Sequence, residues 1–311
     1  MALLTNQRSR RRSGARRRSA RHDAATAERG SGRPRRRLGR LVVWVLLVGL
    51  SLLYAYPFFW MVMTSLTLRE NIFAQQIVPD PVAWVNYAEL FENSLIWDWL
   101  LNSVIITGTQ VVVGTFVSIL IAYGFARFEF PGRRVLFIVL LATMMLPIHI
   151  TIVPLFVMFR DWGWLDTLLP FVVPPFLGEA AFSGGAFGIF LLRQFMMTLP
   201  RELDEAAKLD GAGSWRTLWL ILVPLCKPAI ATVAVFAFLG TWNDFFAPFI
   251  LLTSPEKLTM AVGMQFYKTD EASEVHLLMG MGVLNILPIV LVFFVAQKYF
   301  VRGIALTGLK G

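Results

Sequence analysis

The residues best placed to do chemistry in this chain are a short charged run, Asp204-Glu205-Ala206-Ala207-Lys208, and six polar residues set in long apolar surroundings: Thr107, Gln110, His149, Asn243, Asp244 and Asn285. Their types offer recognition and not bond making. A carboxylate such as Glu205 can pair with a cation on a partner, and Leu203 and Leu209 add apolar grip. Ala206 and Ala207 carry so little side chain that a partner could approach that face closely. The six polar residues offer hydrogen bonds inside an apolar interior, to one another or to a polar ligand. Sets that make or break bonds are missing. His22, His149 and His276 are far apart, no His-Glu-x-x-His pattern occurs, and no strand leads into a glycine-rich phosphate loop. Gly303 and Gly308 have the spacing of such a loop, but Leu309 stands where its lysine belongs. Cys226 is the sole cysteine, so neither an intrachain disulfide nor a cysteine metal site can form. No catalytic residue and no metal site is expected, and the chain should not hydrolyse ATP by itself.

The elements that hold these residues are apolar helices. Of 311 residues 56% are hydrophobic and 16% charged, with a mean hydropathy of +0.62. Runs long enough to cross a bilayer recur. The expected fold is all-α integral membrane, with six transmembrane helices near 41–65, 100–126, 135–159, 167–192, 228–251 and 279–300. The fourth holds Pro170, Pro174, Pro175, Gly178, Glu179 and the run "SGGAFG". It reads as a broken helix, which survives at membrane depth only where protein or a water-filled cavity satisfies its backbone.

Charge sets the orientation. Nearly half of the 29 Lys and Arg lie in residues 1–40, against Asp23 and Glu28. The segment 66–99 has only Arg69, whereas 127–134 has Arg127, Arg133 and Arg134. Segment 160–166 has only Arg160, 193–217 has Arg193, Arg201, Lys208 and Arg216, and 252–278 has Lys257 and Lys268. Rich and poor segments alternate, so both termini and the charged run belong in the cytoplasm. The organisation is then a disordered arginine-rich cytoplasmic tail (1–40), a membrane domain (41–301) and a short cytoplasmic tail (302–311). The block "RSRRRSGARRRSARH" could bind nucleic acid. It lacks interleaved aromatics and directly precedes a membrane span, so it reads as a topogenic tail touching anionic lipid, and nucleic acid is not an expected partner. It is also too long and too polar for a cleaved signal peptide.

Counted from the span ends at about 1.5 Å per residue, the six polar residues fall at similar depth in the outer half of the bilayer. Such groups face the bundle interior or a cavity. Two uses stay open: lining a polar cavity, or bonding between helices and relieving backbone groups freed by Pro147, Pro248 and Pro288. Around the charged run, Pro200 suits the start of a helix, and Glu202, Asp204 and Glu205 complement its N-terminal dipole. Gly211 and Gly213 supply a stop, and Ser214 can cap a second helix. Docking on a partner and resting on lipid remain equally open for this helix.

The run and its spacing resemble a known signature. Glu205-Ala206-Ala207, three residues, Gly211, nine residues, then Ile221-Leu222-Val223-Pro224 is similar to the EAA motif of ATP-binding-cassette importer permeases, with Val223 where that family has leucine. The stretches "AYGFARFEFPGRR", "MMLPIHITIVPLF", "TWNDFFAPFILL" and "QKYFVRGIALTGLKG" resemble its carbohydrate-uptake branch, the maltose-type second permease, over residues 41–311. The arginine-rich front and the extra "GEAAFSGGA" depart from it. The resemblance implies a coupling helix between spans 4 and 5, with Leu203, Glu205, Ala206, Ala207, Gly211 and Pro224 serving an ATPase subunit. It implies a translocation path for which Gln110, His149, Asn243, Asp244 and Asn285 are the candidates, and to which Trp242 or Phe245 could add a ring face. No cofactor would bind directly; ATP and Mg would sit on the partner ATPase. The implied partners are a second, non-identical permease, two ATPase subunits and an extracytoplasmic sugar-binding protein docking on 66–99 and 252–278, all at a bacterial inner membrane. A secondary transporter would instead show an inverted repeat and ionisable midplane sites; no clear repeat is visible. An importer permease for a non-sugar solute is the nearer rival.

Overall fold

Every regular element in the computed structural model is helical among the residues it describes, which are 33–74, 76–178, 185–268 and 274–307, with side chains from 40 to 298. The described residues up to Trp60 and those from Met61 onward form two compact units. The first contains most of α1 (Arg33–Ser65), whose apolar side chains from Leu41 to Trp60 are nearly all exposed, as a lipid-facing helix requires. It begins at Arg33, inside the segment expected to be disordered; residues 1–32 lie outside the described ones.

The second unit runs through α2 (Val85–Glu92), α3 (Ser94–Arg127), α4 (Arg133–Thr143), α5 (Ile148–Asp161) and the single turn α6 (Leu169–Val172). There follow α7 (Gly185–Thr198), α8 (Glu202–Leu209), α9 (Ser214–Leu225), α10 (Lys227–Trp242), α11 (Phe246–Leu251), α12 (Met260–Gly263) and α13 (Val275–Thr307). Three helices are long and apolar enough to cross a membrane: residues 40–65 of α1, all of α3, and residues 275–298 of α13. Two pairs reach that length only together, α4 with α5 at 100° and α9 with α10 at 80°.

The first bend falls inside the expected third span, 135–159, and the second falls just before the expected start of the fifth at 228. Pro147 is extended (φ −65°, ψ 135°) and has no N–H to continue α4, so α5 starts afresh behind it. Pro228 sits in the first turn of α10, where its missing N–H costs nothing, and Cys226 takes the bend. The fifth span breaks again at 243–245, between α10 and α11. Breakage of the fourth stretch was expected and is found: α6, a 3-10 turn at Pro174–Leu177, and Gly178 at φ +79°. Residues 179–184, most of "GEAAFSGGA", lie outside the described ones. At the C-terminus the helix continues to Thr307, past the expected end near 300, and residues 308–311 are not described.

Two cores flank the middle of α3. One gathers Trp99, Phe159, Leu251, Met260 and Met281; the other gathers Ile119, Leu192, Met196, Leu218 and Leu222. Glycines let the helices close up, as in membrane bundles generally. A Cβ on Gly263 would stand 2.3 Å from the Trp99 ring, and one on Gly188 would stand 3.0 Å from Val233 and 3.3 Å from Ser118. The turn after α5 is tied to the segment after α11 by Asp166. Its carboxylate accepts from the backbone of Thr253 (2.9 Å) and Ser254 (2.8 Å), from the Ser254 hydroxyl, and from Lys257 (3.3 Å). Burial alone would raise its pKa, but these hydrogen bonds outweigh burial and hold the carboxyl well below the usual carboxylate range.

Candidate functional site

The charged run folds as the short helix α8 and stops as the glycines imply. Gly211 takes φ +78°, its N–H donates to the Lys208 carbonyl (3.0 Å), and the Ala212 N–H reaches back to the Ala207 carbonyl (2.8 Å). That is the Schellman pattern, which satisfies carbonyls a helix end would otherwise leave open. Ser214 does not cap the next helix. Gly213 holds that position, and the Ser214 carbonyl is used elsewhere, accepting from the Tyr123 hydroxyl at 3.1 Å.

Helix α8 is clamped to the end of α3. Arg127 pairs with Asp204 at 3.1 Å, with side-chain exposures of only 8% and 16%, and also donates to the Leu199 carbonyl at 3.2 Å. The clamp decides which face is free. Ala207 is buried at 3% and Leu203 and Asp204 are half-buried, so they face their own chain. Glu202, Glu205, Ala206 and Leu209 are exposed, Leu209 to 89%. Their spacing of three, four and seven residues puts them on one stripe. The two alanines expected to share a docking face are therefore divided: Ala206 is outward and Ala207 is packing. Pro224 is exposed near the end of α9.

The polar residues separate into two groups. Thr107, Gln110 and Asp244 come together around a cavity of about 20 Å³, with Ser103, Thr241 and Thr259, walled by Pro170 and Phe171 of α6 and by Pro174 and Pro175. That volume holds about one water. The hydroxyls of Thr107, Thr241 and Thr259 are buried there without a hydrogen-bond partner. Asp244 turns one carboxylate oxygen to the backbone N–H groups of Phe246 (3.1 Å) and Ala247 (3.4 Å), the first amides of α11. Gln110 also lines a second cavity of about 20 Å³ with Thr115 and Ser118. On α3 the buried residues Ser103, Thr107, Gln110, Thr115 and Ser118 form one polar stripe between the two cores. A π-type turn at Gln110–Gly114 interrupts the helix there, and a Cβ on Gly114 would meet the Gln110 amide at 2.8 Å. Such turns often mark functional positions in helices.

The remaining candidates lie apart from that cavity. The exposed His149 packs its ring on Phe246, centroids 4.6 Å apart. Asn243 is exposed and donates to the Leu239 carbonyl (2.9 Å). Asn285 accepts the Trp242 indole N–H on its backbone carbonyl (3.0 Å), while its side-chain oxygen is buried without a partner. Trp242 offers no ring to a solute: it is 3% exposed and stacked on Phe238, a helix-packing residue. Phe245 is partly exposed and stacks on Phe249. Among the described residues no cluster of His, Cys, Asp or Glu is arranged to hold a metal.

Residues 114–306, which contain α8 and most of the bundle, match the family described as binding-protein-dependent transport system inner membrane component. The chain is similar to the arabinooligosaccharides transport system permease protein AraQ of Bacillus subtilis, 30% identical over 281 residues that cover 88% of this chain and 96% of that one. It is likewise similar to the diacetylchitobiose uptake system permease protein NgcG of Streptomyces coelicolor, 33% identical over 261 residues covering 83% of each. Among solved structures, a chain of a bacterial ABC transporter involved in the import of the acidic polysaccharide alginate has a TM-score of 0.74 at 25% identity, covering 86% of this chain and 98% of that chain.

Proposed function

Because this chain belongs to the family of binding-protein-dependent transport system inner membrane components, we propose that it forms half the translocation pathway of an ATP-driven importer for oligosaccharides. The solute class follows the relatives, whose names specify arabinooligosaccharides and diacetylchitobiose. It is a multi-pass inner-membrane permease and not an enzyme; ATP and Mg would act on a separate ATPase subunit. In this reading the chain crosses the membrane six times with both termini in the cytoplasm, the interrupted stretch 167–192 serving as the fourth crossing. A second permease completes the pathway, two ATPase subunits lie below, and a sugar-binding protein delivers solute from outside.

The observation that carries the reading is the outward stripe Glu202-Glu205-Ala206-Leu209 on a helix clamped to a membrane-length helix through a shielded ion pair. An apolar side chain as exposed as Leu209, beside carboxylates, is what a docking face needs. ATP-driven closure of the ATPase pair would push on α8, and the clamp would carry that movement to α3. Leu203, Ala207, Gly211 and Pro224 then serve by shaping α8 and its exit, while Glu205 and Ala206 touch the ATPase. Gln110 and Asp244 belong to the polar heart of the bundle, and His149, Asn243 and Asn285 to its margin towards the second permease.

The test is solute uptake and ATP hydrolysis in proteoliposomes holding the whole assembly. Replacing Glu205 and Leu209 together by alanine is expected to abolish uptake while the chain still inserts and folds. Wild-type uptake by that variant would sink the assignment of α8. Affinity purification in mild detergent should recover an ATPase and a second permease; a stable lone chain would point to a secondary transporter instead.

A further inference from the structure

Away from α8 and the polar cavity, three arginines converge where α4 begins. Arg133 and Arg134 stand at its start, and Arg193 reaches over from α7; together they line an open cavity of about 810 Å³ with Phe137, Val135 and Ile138. Arg193 places its guanidinium 3.9 Å above the centre of the Phe137 ring and donates from Nε to the Phe125 carbonyl (3.3 Å). Arg133 donates to the Phe128 carbonyl at 3.0 Å, and Arg134 is exposed. None of the three takes part in the ion pairs found among the described residues. One carboxylate, Glu129, lines the same cavity, so the site keeps an excess of two positive charges. Arg133 is near enough to Arg193 for their charges to repel, an arrangement that an anion between them would relieve.

What adjoins the charges identifies the anion. Helix α4 has no buried residue, and Val135, Leu136, Ile138 and Val139 are each more than half exposed. The site is thus a guanidinium cluster at the head of a bare apolar helix. Guanidinium groups bind phosphate oxygens bidentately, and basic pockets at the ends of membrane helices accept anionic head groups. We propose that this cavity binds an anionic phospholipid, its phosphate among Arg133, Arg134 and Arg193 and an acyl chain lying along α4. A free phosphate would use the arginines but leave the apolar face bare. The site is independent of the solute and of α8, so it stands or falls apart from the importer assignment.

The test is native mass spectrometry of the full chain, purified with its partner subunits in mild detergent and exposed to equal amounts of phosphatidylglycerol and phosphatidylcholine. Phosphatidylglycerol should be retained preferentially, and retention should fall about five-fold for each arginine replaced, the usual worth of a basic residue at an anionic membrane surface. R134Q is the informative single variant, because Arg134 makes no side-chain hydrogen bond or ion pair among the described residues. R133Q/R134Q should deepen the loss, and R193Q should do the same if it folds. Equal retention of the two lipids, or unchanged retention in R134Q and R133Q/R134Q, would overturn the proposal. So would displacement of the lipid by millimolar inorganic phosphate, or a photo-crosslinker at position 134 that labels a partner subunit and no lipid.

Discussion

Replacing Asp204 by asparagine is the sharpest perturbation of the clamp. The pair closes at 3.1 Å with both side chains shielded from solvent. At an effective dielectric of about 20, Coulomb attraction at that distance is about 5 kcal/mol, and desolvation of the two charges offsets most of it. The net value of the pair is therefore small, but the value of balance is large: a shielded Arg127 left with only the Leu199 carbonyl costs about 3–5 kcal/mol. Because Asp204 sits on α8, that cost falls on docking of α8 against the end of α3, a shift of more than a hundred-fold in its seated population. Asp204→Asn is expected to open the segment 200–214 to limited proteolysis and to uncouple ATP hydrolysis from uptake in proteoliposomes. The double replacement Arg127→Met with Asp204→Leu removes both charges and should restore protease resistance to within about 1 kcal/mol of wild type. Wild-type protease resistance and uptake in Asp204→Asn would refute the clamp. A double variant as loose as the worse single one would show that something other than the charge pair holds α8.

The tie at Asp166 has a definite pH signature. A carboxyl held below its ordinary value contributes stability above its unfolded pKa of about 4 and loses it as pH falls towards its folded value. Hydrogen exchange at the Thr253 and Ser254 amides, corrected for intrinsic rate, should therefore be unchanged from pH 7 to 5 and rise only below about pH 4. In Asp166→Asn, which tolerates the backbone's φ of +55°, exchange should be raised throughout. Gly263→Ala should cost about 1–3 kcal/mol in thermal unfolding of the purified assembly, because the Trp99 ring it meets is pinned by a 2.7 Å bond to the Pro255 carbonyl; Gly108→Ala, with nothing within 4 Å, should be neutral. Asp244→Ala should lose about 1 kcal/mol by freeing the first amides of α11. Asp244→Asn, which still accepts, should keep that stability in the same melt.

What the sequence made legible was local. The run 204–214 carries its own start, stop and dipole chemistry, so α8 and the left-handed Gly211 are found where residue types put them. The fourth stretch reads as broken because prolines and glycines act within a turn or two of where they stand. Hydropathy, in contrast, is blind to direction: the residues on both sides of Pro147 are equally apolar, so a straight span and a 100° bend look alike. The division of Ala206 from Ala207 was hidden because it depends on the Arg127–Asp204 pair, which joins residues far apart in the chain. Ser103 could have been found, since it shares a helical face with Thr107 and Gln110, whereas Thr115 joins that face only through the extra residue of the π-type turn at Gln110–Gly114. Thr241 and Thr259 could not, because only the packing of α10 and α12 against α3 brings them to that stripe. Trp242 misled through its size; its indole N–H needs a buried partner and finds one in the Asn285 carbonyl.

The polar spaces inside this chain are small. The two spaces beside Gln110 have room for about one water each, and proline and aromatic side chains wall the larger group of polar residues from outside. A sugar ring does not fit there without separating α3 from α10. We propose that the polar stripe of α3 serves packing and movement in this closed arrangement, with the π-type turn at Gln110–Gly114 as the place where the helix can yield. The Arg127 clamp stands seventeen residues further along the same helix, about 25 Å away at 1.5 Å per residue. The helix α3 thus runs from the polar centre of the bundle to the Arg127–Asp204 pair that holds α8. If this chain forms half of a pathway as proposed, the polar or aromatic residues it leaves exposed, such as His149, Asn243 and Phe245, are the ones to test for solute contact.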